Sequence, residues 1–476
     1  MSIAGILAED NRDAAELLLN AFAATRSLYD DFVNIRTRGR SIALGLRGRS
    51  VSLDELLCEA RDGIVMAGTL PSTLRSPDDN FSACNGTAEA TQTYLNTVKG
   101  AFATLETGYA AILGITSHLI GIRDPLGQRP LFYTRTSSYA ALSSSRKVLW
   151  ALGNDEPQVH PSGVLTQFSG QTVRSHKIRD IKPPPPLTAI SFEEASRNLA
   201  ELVCNSVRSA VEPARRVGVL FSGGLDSSVI ASAAKRLGLE THLYSVAFSD
   251  VERLFPAETA AHMLELDLDA RLVGEEDIEE VLRHTVWAAE SADTLQVSVA
   301  FPLDVATQAA VEKGETVLLS GSGADELFGG YSRYPQILDR SGEEALTGAM
   351  LKDVLKLSEA DLLRDGAVGE SNRIRLQAPF LNLGLVEFAL NLPVEFKVMG
   401  ARDALRKHIL REAARKLDVP AEVVCSPKKA AQYSSGSLKA VRRLAQRRGL
   451  RAEEYLGRML LDVRRDIAEK MRPMSA

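Results

Sequence analysis

Apolar positions follow different patterns in the first and second parts of the chain. Up to residue 180, short apolar stretches are separated by segments rich in Ser, Thr and Gly, a spacing typical of a sheet-rich domain. The predicted strands are 41–46, 63–66, 110–115, 119–122 and 131–133. Segments 10–26 and 87–105 have the periodicity of helices. The prolines at 183–186 indicate an exposed linker, 181–191, because proline fits neither a helix interior nor a central strand.

After the linker, apolar runs alternate with amphipathic segments. The predicted order is helix 192–211, strand 217–221, helix 227–237, strand 243–248, helix 256–264 and strand 316–319. Strands that alternate with helices predict a parallel sheet covered by helices on both faces. We therefore predict a two-domain α/β protein, with a sheet-rich domain at 1–180. The second domain, 192–476, is predicted to be a doubly wound parallel sheet with a helical C-terminal part.

Composition and charge narrow the classes of function. The net charge of −5 argues against a nucleic-acid partner, which would require a basic surface. No apolar run approaches the ~20 residues that span a bilayer, and the first residues lack the features of a secretory signal. The four cysteines lie far apart without a CxxC pair, which favours neither a zinc site nor disulfides. We expect a cytoplasmic protein without nucleic-acid or membrane partners.

The segment 217–228, VGVLFSGGLDSS, has the features of a phosphate-binding loop. An apolar strand leads into two glycines, which allow a tight turn and a close approach to a ligand. A helix follows, whose first amide groups and the hydroxyls of Ser227 and Ser228 are expected to face outward and bind an anion. No GxxxxGK[ST] motif occurs, so the loop is not of the Walker type. A carboxylate at Asp226, beside phosphates, indicates a bridging Mg²⁺.

A second buried strand, 317–319, ends in small residues and then in the acids Asp325 and Glu326. Ligands of open parallel sheets gather at the carboxyl ends of the strands. We therefore expect Asp226 and Asp325 to converge on one metal–triphosphate.

Together these motifs resemble those of the asparagine synthetase family. The resemblance begins with SGGLDSS at 222–228 and SGSGADELFGGY at 320–331. Further similar stretches are RDPLGQRPLFY at 123–133, LLRD at 362–365, APFL at 378–381, KHILR at 407–411 and PKKAAQY at 427–433. The resemblance extends over nearly the whole chain. It implies an Ntn-type αββα domain at 1–180 and an ATP-pyrophosphatase (PP-loop) domain at 192–476.

The resemblance also implies roles for individual residues, with ATP and Mg²⁺ as cofactors. The residues implied to bind the phosphates of ATP are Ser222, Gly223, Gly224, Ser227 and Ser228. Those implied to complete the ATP site are Leu220, Val246, Ser320 and Gly321. Asp226 and Asp325 would ligate Mg²⁺, and Lys428 or Lys429 would stabilise charge on the adenylate. Ser322 and Glu326 would lie near the substrate.

The first domain departs from the family at its catalytic positions. The chain begins MSIAGI where the family reads MCGIAGI, and no cysteine precedes Cys58. The family's HRGPD stretch has no clear equivalent, and its NGEIYN stretch appears as AGTLPS at 67–72. We interpret this domain as a retained scaffold without glutaminase chemistry. An alternative is that Ser2 serves as an N-terminal nucleophile activated by its own amine.

The second domain departs from the family near the expected carboxylate and amine site. Ser322 replaces the glutamate of the SGEG motif, and Arg375, Gln377 and Asn382 replace residues of the ExRVPFLD stretch. Lactam-forming relatives also lack the cysteine and also change the glutamate. These changes leave the predicted ATP site intact and bear on the identity of the substrate.

The predicted function is AMP-forming amidation of a carboxylate through an acyl-adenylate. The leading hypothesis is aspartate to asparagine with ammonia as the nitrogen source, in a chain that could form a homodimer. One alternative is an AMP-forming synthetase for another carboxylate, including lactam closure. An alternative of another class is a catalytically silent homologue that acts as a binding or scaffold subunit. A tRNA-modifying PP-loop enzyme is disfavoured because the basic surface is missing.

Overall fold

The computed structural model describes residues 2–10, 12–25, 32–48, 57–60, 64–68, 88–115, 117–170, 172–182, 189–427 and 435–471. The chain divides into two compact units, Met1–Asp180 with Leu460–Ala476, and Ile181–Met459. The predicted second domain extended to residue 476, whereas the residues from Leu460 on belong to the first unit. The prolines at 183–186 lie outside the described residues.

The first unit contains two antiparallel sheets. In spatial order, the first sheet is β10 (Gln158–Val159), β8 (Phe132–Arg135), β9 (Tyr139–Ser143), β1 (Ser2–Ala8), β3 (Ile42–Gly48) and β2 (Phe32–Arg38). The second sheet is β12 (Thr172–Lys177), β11 (Val164–Ser169), β7 (His118–Arg123), β6 (Ala110–Ile115), β5 (Ile64–Gly68) and β4 (Leu57–Ala60). Its helices in the described residues include α1 (Ala14–Ala24), α2 (Ala88–Ala103) and α3 (Arg146–Ala151).

Apolar side chains from both sheets form one core, so the sheets pack face to face. Leu44 of β3 and Ile112 of β6, for example, are fully buried in the same cluster. Helix α1, capped by the Asp13 carboxylate, contacts the outer face of the first sheet and buries Phe22. Helix α2 packs Phe102 against the second sheet. This αββα arrangement confirms the fold class predicted for the first part of the chain.

The second unit is built on a parallel sheet. In spatial order its strands are β15 (Asp267–Val273), β14 (Glu240–Phe248), β13 (Arg216–Leu220), β16 (Val317–Leu319) and β17 (Arg375–Gln377). The helices up to the second motif are α4 (Phe192–Val211), α5 (Leu225–Arg236), α6 (Phe255–Leu264), α7 (Ile278–Ala289), α8 (Thr294–Glu312) and α9 (Ala324–Phe328). Those that follow are α10 (Tyr334–Lys356, interrupted at Gly342), α11 (Asp361–Ser371), α12 (Leu383–Asn391), α13 (His408–Lys416), α14 (Ala421–Cys425) and α15 (Ser437–Arg447). Helix α16 (Ala452–Met471) continues into the first unit. The parallel sheet confirms the predicted fold class.

The strand order places a crevice at the centre of this sheet. Strand β13 pairs with β14 on one side and with β16 on the other, and all the pairs are parallel. The strand that follows β13 lies on one side of this pair, and the strand that follows β16 lies on the other side. Ligands of open α/β sheets bind at the carboxyl ends of two such strands. Both motif loops begin at these two strand ends. Among the described residues, no helix is long and apolar enough to cross a membrane.

Candidate active site

The first motif loop connects β13 to α5. Gly223 adopts a φ of +71°, and a Cβ there would lie 2.3 Å from the carbonyl oxygen of Pro256, so both conformation and space require glycine. Gly224 caps α5 without a side-chain hydrogen bond to the first turn. The amide groups of that turn and the positive end of the helix dipole are therefore suited to bind an anion.

The serines of this loop do not all face outward. Ser222 is exposed, whereas Ser227 and Ser228 are buried at 5% and 0% exposure. The Ser227 hydroxyl donates to the carbonyl of Gly224 at 3.2 Å and accepts from the amide of Ser222 at 3.3 Å. The expectation of two outward hydroxyls was wrong, since both side chains are buried at the start of α5. Ser227 shapes the loop, and phosphate binding by this loop stays a prediction.

The second motif loop, 320–323, runs from β16 to α9 and lies against the first. A Cβ on Gly321 would come within 2.9 Å of Cβ of Asp226, so the two loops touch at the start of α5. Ser320 is buried, and its hydroxyl donates to that of Ser322 at 3.2 Å. The fold therefore brings both motifs to one place.

The two aspartates meet at a buried lysine. Nζ of Lys407 lies 2.6 Å from Oδ1 of Asp226 and 2.6 Å from Oδ1 of Asp325. Lys407 is 1% exposed, and the aspartate side chains are 15% and 23% exposed. Because one nitrogen contacts both carboxylates, their oxygens face the same point. Gly330 lines this point, since a Cβ there would lie 1.9 Å from Oδ1 of Asp325 and 2.4 Å from Cε of Lys407.

This donor set fits a Mg²⁺ that arrives with a nucleotide. Among the described residues, no group of three or more His, Cys, Asp or Glu side chains is arranged to hold a metal. Mg²⁺ in phosphate-transfer sites is commonly bound by one or two carboxylates together with substrate phosphates and water. Asp226 and Asp325 supply two carboxylates that face one point beside a loop suited to bind an anion. They are the residues that would hold the ion.

A second group of buried polar residues borders the aspartates. Burial raises the pKa of Glu326 to about 7, although its carboxylate accepts a hydrogen bond from the Tyr331 hydroxyl. Burial also raises the pKa of Asp365, while the Arg364 guanidinium, 2.7 Å away, and a hydrogen bond from Ser322 oppose that rise. The residue at the SGEG glutamate position, Ser322, thus faces a buried ion pair.

Two of the other departures from the family have structural roles here. Nη2 of Arg375 donates to the carbonyl oxygens of Val211 at 3.2 Å and Glu212 at 3.3 Å. Asn382 caps α12 by accepting from the amide groups of Gly384 and Leu385. Each of these two residues therefore has a role in the fold that does not depend on which substrate is bound.

Lys407 belongs to the site although its sequence context did not predict it. It belongs to the KHILR stretch, but a lysine just before a helix is usually exposed, and its partners lie far away in the sequence. Leu220 and Val246, two residues implied to complete the ATP site, lie near the carboxyl ends of the adjacent strands β13 and β14. Lys428 and Lys429 lie outside the described residues.

Comparisons with known proteins agree with these motifs. The chain matches the asparagine synthase family over residues 198–344 and 338–462. It is 33% identical over 389 residues to a putative glutamine-hydrolysing asparagine synthetase of Methanocaldococcus jannaschii, covering 70% of each chain. It is 27% identical over 351 residues to the glutamine-hydrolysing asparagine synthetase of Mesocricetus auratus, covering 66% of this chain but only 60% of that enzyme.

Solved structures show weaker similarity. A glutamine phosphoribosylpyrophosphate amidotransferase from B. subtilis has a TM-score of 0.29 and 16% identity, covering 52% of this chain and 66% of that one. NMN synthetase from Francisella tularensis has a TM-score of 0.30 and 15% identity, covering 60% of this chain and 98% of that one. At these TM-scores neither structure bears on the function.

Proposed function

Because the chain belongs to the asparagine synthase family, we propose that it is a ligase that uses ATP to amidate a carboxylate, forming AMP and pyrophosphate. The membership confirms the family predicted from the motifs. The observation that carries the proposal is the convergence of Asp226 and Asp325 on one buried cation, at the carboxyl ends of adjacent strands. That arrangement is suited to a metal-bound triphosphate.

In the proposed reaction, the amide groups after Gly224 bind phosphate oxygens, and Asp226 and Asp325 are the residues that would hold Mg²⁺. When bound, the ion would offset part of the negative charge on the phosphates. Lys407 is a fixed cation, buried beside the same point, and such a group stabilises developing negative charge without reorganisation. The substrate carboxylate attacks the α-phosphorus, pyrophosphate leaves, and an amine then displaces AMP. Lys428 or Lys429 is proposed to act on the charge that develops in these steps.

We propose aspartate as the carboxylate. The support is that Arg375 and Asn382, two of the departures from the family, have structural roles rather than roles in a substrate site. Near the site, Ser322 and the ion pair Arg364–Asp365 offer polar partners for the charged groups of an amino acid. The second candidate is another carboxylate, including a lactam precursor, and it is favoured by the loss of a charge at Ser322 relative to the family.

We propose ammonia, not glutamine, as the nitrogen source. Ser2, the residue considered as a nucleophile, is 2% exposed in β1. Its hydroxyl accepts a hydrogen bond from Nη2 of Arg47 at 3.3 Å, and Arg47 in turn donates to Thr25. A nucleophile must reach its substrate, and a hydroxyl buried within a strand is poorly placed to do so.

The test measures AMP and pyrophosphate release from ATP with each amino acid, supplied with ammonium or glutamine. We expect release with aspartate and ammonium, and a loss of at least about 10²-fold in Asp325→Asn, which keeps the shape but removes the charge. The matched control is Asp339→Asn, an exposed position of α10, which should keep wild-type activity. If no carboxylate supports release in the wild type, the chain is a silent homologue. Equal activity with glutamine would contradict the ammonia proposal alone.

A further inference from the structure

Arg411, on α13, makes an unusual set of hydrogen bonds. It is 4% exposed, and it donates only to backbone carbonyl oxygens in the described part of the chain. Nε donates to Arg406 at 2.8 Å, and Nη2 donates to Leu405 at 2.6 Å. Nη1 donates to Ser426 at 3.1 Å and to Val424. Burial lowers the pKa of this guanidinium, and no salt bridge joins it to a described carboxylate.

The two peptide groups at Leu405 and Arg406 directly precede Lys407. Arg406 and Lys407 have φ values of 55° and 56°, so two consecutive non-glycine residues adopt the left-handed conformation. Such a conformation persists only where the surroundings determine it, and it is enriched at functional sites. It turns the chain so that Nζ of Lys407 reaches both carboxylates.

Asp403 holds the same turn from its other side. Its carboxylate accepts hydrogen bonds from the amide groups of Leu405 at 3.2 Å and Arg406 at 2.9 Å. It also contacts Nε2 of His408 at 2.8 Å. The turn before Lys407 is therefore fixed by a carboxylate that binds its N–H groups and by a guanidinium that binds its carbonyl groups.

We infer that Arg411 and Asp403 are positioning residues that hold Lys407 between Asp226 and Asp325. Arg411 acts through the turn and does not contact the carboxylates. Only a guanidinium presents five donors in a rigid plane, so it alone can bind carbonyl groups of the turn and of residues 424–426 together. A lysine at this position keeps the charge but loses that geometry. The inference rests on the proposed function, because Lys407 must act in the reaction for its position to matter.

The test is a double-mutant cycle of Arg411→Lys with Lys407→Met, measured by pyrophosphate release. Alone, Arg411→Lys should lower kcat on the order of 10²-fold, the effect of a misplacement of about 1 Å, with a smaller change in KM for ATP. In the Lys407→Met background, it should have little further effect, because the residue it positions is gone. The control is Arg415→Lys, one turn further along α13, whose exposed side chain pairs with Glu412.

A merely structural role gives a different result. Additive losses in the cycle, or wild-type kcat in Arg411→Lys, would overturn the inference. If Arg411→Lys does not fold, the same cycle is run with Asp403→Ala, and additivity there is equally decisive. Absence of pyrophosphate release from the wild-type protein would instead contradict the proposed function, so the two failures are distinct.

Discussion

Replacing Gly330 by alanine tests the geometry of the site with a single methyl group. Gly330 has no left-handed φ, so alanine is compatible with its backbone, and only space is in question. The added Cβ would lie 1.9 Å from Oδ1 of Asp325, 2.8 Å from its Cγ and 2.4 Å from Cε of Lys407. These are the two groups that face Asp226, so the methyl group enters the ion pair itself.

The size of the effect follows from these distances. Ordinary contact begins at 3.4 Å, so Asp325 and Lys407 must both move by about 1 Å or more. A misplacement of about 1 Å costs on the order of 10²-fold in rate, and that is the expected loss in kcat. Overpacking of a well-packed site costs about 1–3 kcal/mol in the free energy of unfolding. We expect both losses together, since one displacement causes them.

The assay is pyrophosphate release at saturating ATP, together with thermal unfolding. The control is Gly348→Ala in α10, where nothing lies within 4 Å of the added Cβ and the backbone is helical. This change should leave kcat unaltered and raise stability by up to about 1 kcal/mol, because alanine is the better helix former. If Gly330→Ala kept wild-type kcat and stability, the contact between Asp325 and Lys407 described above would be wrong.

Two further predictions concern other parts of the chain. One of the two variants Lys428→Ala and Lys429→Ala should lower kcat on the order of 10²–10³-fold with little change in KM for ATP, because it removes one preorganised charge. The other variant should have nearly wild-type kcat. Wild-type kcat in both variants would remove these lysines from the proposed mechanism. Burial lowers the pKa of His160 to about 4, so between pH 6.5 and 4 the unfolded chain binds a proton that the folded chain does not. The free energy of unfolding should decrease by a total of about 3 kcal/mol as the pH is lowered across that window. Urea unfolding should show a shallower pH dependence in His160→Asn. An unchanged dependence would contradict the buried neutral imidazole.

Local patterns were enough to predict the elements that position the site. Helix α4 has the predicted bounds, Phe192–Val211, because its apolar stripe and its Ser191 cap are both local signals. The strands that end at the two motif loops were likewise predicted, since buried strands of a parallel sheet are short apolar runs. From these elements and the general rule on strand ends, the meeting of Asp226 and Asp325 followed.

The parts that were missed depend on contacts between distant residues. Lys407 contacts Asp226 across 181 positions of the chain, and no local pattern distinguishes it from an exposed lysine. The burial of Ser227 and Ser228 depends on tertiary packing around the start of α5, and a sequence motif does not specify that packing. The membership of the residues from Leu460 on in the first unit is a matter of tertiary packing, since helix α16 is continuous in sequence.

The charges around Lys407 explain why nucleotide and metal would have to bind together. Two carboxylates that face one point in a partly desolvated site repel each other, and the buried ammonium between them offsets that repulsion. Two aspartates against one lysine still leave a net negative charge, next to the loop that is proposed to bind phosphate. A free triphosphate would be repelled by this charge, and a bound divalent cation would reduce that repulsion by offsetting part of the phosphate charge and by attracting the carboxylates. Under the proposed function, the two aspartates would therefore favour a nucleotide that carries a divalent cation over a free one, and Lys407 would hold the two carboxylates together.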